Sequence, residues 1–144
     1  MRIAVAADER TGVAELVVEA LRARGHEPRL HGALVEGDRE DWAWCSEAAA
    51  RDVAEGRAEQ GIVCCWTGTG ASIAANKVPG VRAALCTDAA TATGARTWND
   101  ANVLVMGLRL TSPEVATEML DAWFATVVDP DEVDVIAGLE DRRG

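Results

Sequence analysis

The chain has 144 residues, 49% of them hydrophobic, and a formal net charge of −10. That length buries a real core in one domain, 1–144, and that apolar fraction excludes a disordered chain. The acidity disfavours nucleic acid and anionic membrane as partners, since both need a concentrated positive surface; it leaves a small substrate open, because a local pocket can oppose the global field.

Residues 2–7, RIAVAA, predict a first strand. The run is too short for a secretory signal. No stretch approaches the roughly 20 apolar residues of a membrane span, so the expectation is a cytoplasmic protein. A turn, DERTG, follows. Over 13–24, Val13, Leu16, Val17, Ala20 and Leu21 recur at helical spacing, and Gly25 ends that helix. Residues 27–31 predict a short second strand near a sheet edge. Residues 41–55 predict an alanine-rich helix, stopped by Gly56, and 61–65 a third strand. After a glycine turn, 72–77 read as a short helix. Val78-Pro79-Gly80 breaks the chain. A fourth strand at 81–86, a helix at 88–97 and a fifth strand at 102–106 follow. Ser112-Pro113-Glu114 is a helix start: a capping Ser, then Pro, then an acid. That helix runs to about 127, with Val115, Met119, Leu120 and Trp123 on one face. Residues 131–141 predict a last helix, and Arg142-Arg143-Gly144 a frayed end. Strands alternate with helices throughout. The α/β class follows, as a doubly wound five-stranded parallel sheet in a three-layer α/β/α sandwich.

The chemistry concentrates in residues 61–77, GIVCCWTGTGASIAANK. An apolar strand runs into a glycine turn and then a helix start. Backbone N–H groups converge at such a point, and the helix end carries a partial positive charge, so anions bind there. Cys65 stands at the strand's carboxyl end beside that point, in a field that also favours a thiolate. Of the 4 cysteines, Cys45, Cys64 and Cys86 read as packing residues. No CxxC pair and no nearby His suggests zinc, so the expectation is no metal.

The chain resembles the type B ribose-5-phosphate isomerase and galactose-6-phosphate isomerase family. The resemblance rests on CxTGxGxSIAANK at 65–77, VRAALC at 81–86 and NDANVL at 99–104. It implies a Rossmann-like sandwich, a homodimer or possibly a tetramer (a dimer of dimers), no cofactor, and aldose–ketose isomerisation of a sugar or sugar phosphate. It also implies roles. Cys65 is the base that moves a proton between neighbouring carbons. The backbone of Gly68, Thr69, Gly70, Ala71 and Ser72 holds the enediolate. Thr67 is the hydroxyl residue beside the base, Asn99 sits near the reacting carbons, and Asp8 binds substrate hydroxyls. Arg109 matches a position that contacts phosphate, and Arg96 is a further cation for that task.

The chain departs from the family at several places. The His of the family's DHAG is replaced by Glu9. The Gly after the catalytic Cys is Trp66. The ring-opening His of the family's HN pair is Trp98, and indole N–H is only a donor. The terminal RHxRRVD corresponds to DPDEVD at 129–134, acidic where the family is basic. Proton transfer is kept while ring opening and phosphate binding are thinned. The expectation is an isomerase on an altered substrate, open-chain or differently phosphorylated, with Trp66 and Trp98 as an aromatic wall and the segment 129–144 packing on a partner subunit. Glu9 has a second reading as a new carboxylate base, against a solvated loop acid. A non-catalytic relative, serving as a binding module or subunit partner, is the competing class. His26 and His31 read as structural; Trp42, Trp44 and Trp123 read as core or dimer contacts.

Overall fold

The structure, a computed structural model, describes residues 1–141. Five parallel strands form one sheet in the order β2-β1-β3-β5-β4. They are β1 Arg2–Ala7, β2 Glu27–Gly32, β3 Gln60–Cys65, β4 Ala83–Leu85 and β5 Val103–Gly107. The helices are α1 Ala14–Ala23, α2 Trp42–Ala54, α3 Thr69–Asn76, α4 Ala89–Asn99, α5 Pro113–Ala125 and α6 Val133–Asp141. The layered α/β sandwich implied by the alternation of elements is the fold observed.

Strand side chains alternate between faces, and the core divides the same way. Ile3, Val5, Ile62, Cys64, Leu104 and Met106 pack with α1, α4 and α5. Ala4, Ala6, Val63, Cys65, Val103 and Val105 pack with α2 and α3. The second face is small on both sides, with Ala49, Ala50, Ala71 and Ala75 coming from the helices. Small side chains let α2 and α3 lie close to the strands. Helix ends are capped by side chains: Asp41 accepts from Trp44 N–H, Asp88 from Thr91 N–H and Ser112 from Val115 N–H.

The chain runs from β1 outward to β2 and then crosses to β3 on the other side. The switch in strand order therefore lies between β1 and β3, where doubly wound sheets open a ligand crevice past the strands' carboxyl ends. Ala7 pairs with Cys64, so Asp8 and Cys65 follow side by side at that crevice.

The structure differs from the sequence reading in places. Helix α3 begins at Thr69, three residues ahead of the expected Ser72. Strand β4 is shorter than 81–86, although Cys86 N–H still donates to Val105. Trp123 is buried and its Nε1 donates to Gln60, but Trp42 and Trp44 are exposed, so neither is core. Arg82 ties α6 to the sheet through Glu140 at 2.7 Å. Arg142 and Arg143, expected to fray, lie outside the described residues.

A buried carboxylate also holds an edge together. Asp52 on α2 is 2% exposed and accepts from His31 Nε2 and Arg57 Nε at 2.6 Å and from Arg29 Nε at 3.2 Å. Burial pushes its pKa up, but the donors outweigh burial and hold it below the usual carboxylate range. Asp52→Ala is expected to cost about 2–3 kcal/mol in urea unfolding at neutral pH, since it removes the buried acceptor that three side-chain donors share. A depressed folded pKa contributes stability above the unfolded value near ~4 and loses it as pH falls through the folded value. The gap between wild type and variant should therefore close in acid and stay constant above about pH 5.

Candidate active site

Strand β3 delivers Cys65 to the sheet's carboxyl end, and two bonds hold the chain there. Leu108 N–H donates to Cys65 O and Arg109 N–H donates to Trp66 O, both at 2.9 Å. The β3–β5 ladder thus continues past the strands into the turn. Gly107 permits this approach: a Cβ there would stand 2.8 Å from Thr67 O.

Gly68 makes the turn. Its φ of 81° lies in the left-handed region, and it caps α3. A Cβ there would meet Leu85 Cδ1 at 2.6 Å and Gly107 N at 3.1 Å. Helix α3 then starts with one of its backbone donors on Cys65. Ala71 N–H donates to Cys65 Sγ at 3.5 Å, and Ser72 N–H to Gly68 O at 3.0 Å. The N–H groups of Thr69 and Gly70 have no partner among the described residues. Thr67 and Thr69 share a hydroxyl hydrogen bond of 2.9 Å on the rim. A buried sulfur and, among the described residues, unpartnered backbone donors therefore stand together at the start of α3. Donors so placed suit a negative oxygen that forms during reaction.

The other cysteines are different. Cys64 faces the opposite layer, and burial pushes its thiol up to about 12. Burial likewise lifts Cys45 to about 12 and Cys86 to about 11. These are thiols in packing positions.

Asp8 is half-buried beside Cys65. Its Oδ1 is one of the buried side-chain atoms without a hydrogen-bond partner among the described residues. Desolvation, and then the charge of Glu9, raises its pKa. Glu9 accepts from Thr11 Oγ1 at 2.9 Å. Trp66 is half exposed.

Other expected site residues lie apart in the single chain. Asn99 ends α4, which runs back to the amino ends of the strands. Arg82 binds Asn102 and the Asp100 carbonyl there. Gly107, beside Cys65, is at the far end of β5, about 13 Å along the strand from Val103 at ~3.3 Å per residue. Trp98 is exposed, folds over Gly94 and lines a groove with Ala84, Leu85 and Asn99. Arg109 is exposed and has no ion-pair partner among the described residues. Arg96 is not available for phosphate: it is 9% exposed, donates to Asp100, Ala101 O and Thr126 O, and lies over Trp123.

Trp42 was not among the residues expected at the turn. Its ring lies where a Cβ on Gly70 would sit, at 2.8 Å. The signal was Gly70 itself, since a glycine in a helix's first turn often marks close approach. Among the described residues, no cluster of His, Cys, Asp and Glu could hold a metal ion, and no helix is long and apolar enough to cross a membrane.

The profile of the Ribose/Galactose Isomerase family matches residues 3–135. Ribose-5-phosphate isomerase B of Escherichia coli K12 is 37% identical over 110 residues, covering 74% of each chain. D-erythrulose-4-phosphate isomerase of Pectobacterium atrosepticum is 45% identical over 74 residues, 51% of this chain and 49% of the relative. The structure of Clostridium thermocellum ribose-5-phosphate isomerase B superposes with a TM-score of 0.90 at 31% identity, covering 99% of this chain and 97% of the other.

Proposed function

The chain belongs to the ribose/galactose isomerase family, a family of sugar-phosphate isomerases, and from that premise we propose that it is a cofactor-independent aldose–ketose isomerase with Cys65 as its base. The observation that carries the reading is the Cys65 sulfur accepting from Ala71 N–H beside the unpartnered N–H groups of Thr69 and Gly70. Cys65 removes a proton from the carbon beside the carbonyl. The charge that moves to oxygen is met by the fixed donors, and Cys65 returns the proton to the neighbouring carbon.

The substrate is an open-chain sugar phosphate. No imidazole stands at the turn to open a ring: His26 contacts the amino terminus and His31 is bound to Asp52. Erythrulose 4-phosphate, named for a relative, is such a compound, because a four-carbon 2-ketose has no C5 hydroxyl with which to close a five-membered ring. Arg109 is the cation that meets the phosphate, with Asp8 and the rim hydroxyl of Thr67 on the substrate's hydroxyls. The working unit is a cytoplasmic homodimer, in which the Trp98–Asn99 edge of one copy faces the Cys65 turn of the other and Trp66 completes an aromatic wall.

Incubation with sugar phosphates in D2O tests this. Carbon-bound deuterium and isomer should form from erythrulose 4-phosphate faster than from ribose 5-phosphate. The reading fails if no sugar phosphate of a tetrose-to-hexose panel is exchanged or converted.

A further inference from the structure

Isomerisation moves two protons, one between carbons and one between oxygens. Cys65 accounts for the first, and the turn's N–H groups can hold charge but cannot carry a proton across. The chain contains no Tyr to do so. Both histidines are engaged elsewhere: His26 is stacked on Phe124, and His31 is hydrogen-bonded to Asp52. Asp38 is committed to Gly32 N–H and Asp88 caps α4. Asp8 remains. The register Ala7 to Cys64 continues to Asp8 beside Cys65, and strand alternation puts both on the face of α2 and α3. Its Oδ1 is buried without a partner, so the carboxyl has a site that gains from a proton.

We propose that Asp8 is the oxygen-to-oxygen proton relay of the isomerase reading given above, on which this inference rests. Cys65 thiolate takes the proton from C2 of the aldose, and the C–H electrons form the C1=C2 bond as the carbonyl electrons move to O1. The Asp8 carboxylate then accepts the proton of the O2 hydroxyl and delivers it to O1. The negative charge passes to O2, which forms the new carbonyl as the Cys65 thiol gives its proton to C1. Thiolate and carboxylate both return to their starting forms. Desolvation of Asp8, which favours its protonated form, suits a group that must hold a proton for part of each cycle. Glu9 adds to this by its charge and stays bound to Thr11.

Asp8→Asn separates the two transfers, since an amide binds hydroxyls but relays no proton. Wild type and variant are incubated with erythrulose 4-phosphate and with ribose 5-phosphate in D2O, and NMR reads carbon-bound deuterium and isomer formed. Deuterium incorporation should persist within a few-fold while isomer formation falls by about 10²-fold or more. Equal loss of both would make Asp8 a ligand only and overturn the relay, as would equal retention. If Asp8→Asn does not fold, Asp8→Ala with added formate takes its place, and restored isomer formation is the supporting result; no restoration overturns it. Wild type that neither exchanges nor converts either sugar overturns the isomerase reading itself, an outcome distinct from the others.

Discussion

Cys65→Ala should fold and lose both solvent exchange and isomerisation by about 10³-fold or more, because it removes the group that takes the carbon-bound proton. The stability cost is small, on the order of 1 kcal/mol, since only one sulfur leaves a well-packed layer. Thermal unfolding would check the fold, and NMR in D2O the chemistry. The neighbouring thiol is the control. Cys64→Ala empties a position on the opposite face, where burial holds the thiol near 12, and should leave turnover within a few-fold. Equal activity in wild type and Cys65→Ala would end the case for a thiolate base. Cys65→Ser keeps an acceptor for Ala71 N–H but offers a much weaker base, so it should fall between the two.

Gly68→Ala is the second large effect. An L side chain is strained at φ 81°, at a cost of about 1 kcal/mol. Its Cβ would also meet Leu85 at 2.6 Å and the Gly107 backbone at 3.1 Å. Leu85 is partly exposed and can swing aside, but the β5 backbone cannot. The turn must shift instead, and with it the N–H groups of Thr69 and Gly70. A displacement of even 1 Å at positioned donors costs about 10²-fold in rate. The expected result is turnover reduced about 100-fold, with unfolding free energy lowered by about 1–3 kcal/mol in urea. A rate loss no larger than the stability loss can explain would mean that the turn's donors do not act on the reaction.

The sheet and most helices were legible in the sequence because each strand is short, apolar and bounded by turn residues, and because α1 and α5 carry a clear helical spacing. The start of α3 was not. Thr69 and Gly70 look like loop residues, yet the helix accepts Gly70 because the Trp42 ring occupies the space beside it. That contact is tertiary, and no local pattern announces it. Asp52 was hidden for the same reason: an acid in an alanine-rich helix reads as a solvated face, and its partners Arg29 and His31 come from a strand about 20 residues earlier. In the site, the Cys65 turn was readable because glycines and a helix start are local signals. The separation of Trp98 and Asn99 from Cys65 was not, because a motif at a helix end does not say which end of the sheet it reaches. Arg96 shows the reverse error. Its charge suggested phosphate, but the folded chain spends that guanidinium on its own carbonyls.

Asn76 closes α3, and its side chain turns to the outermost strand. Its amide nitrogen donates to Ala83 O and its oxygen accepts from Ala83 N–H. One side chain thus occupies both backbone groups of a residue on the three-residue edge strand β4. The opposite edge, β2, contains Pro28, which has no N–H to offer. Both borders of the sheet thus interrupt the row of donors and acceptors offered to a passing chain. A protein so bordered resists strand-to-strand polymerisation at high concentration, and keeps that resistance however its exposed tryptophans are used.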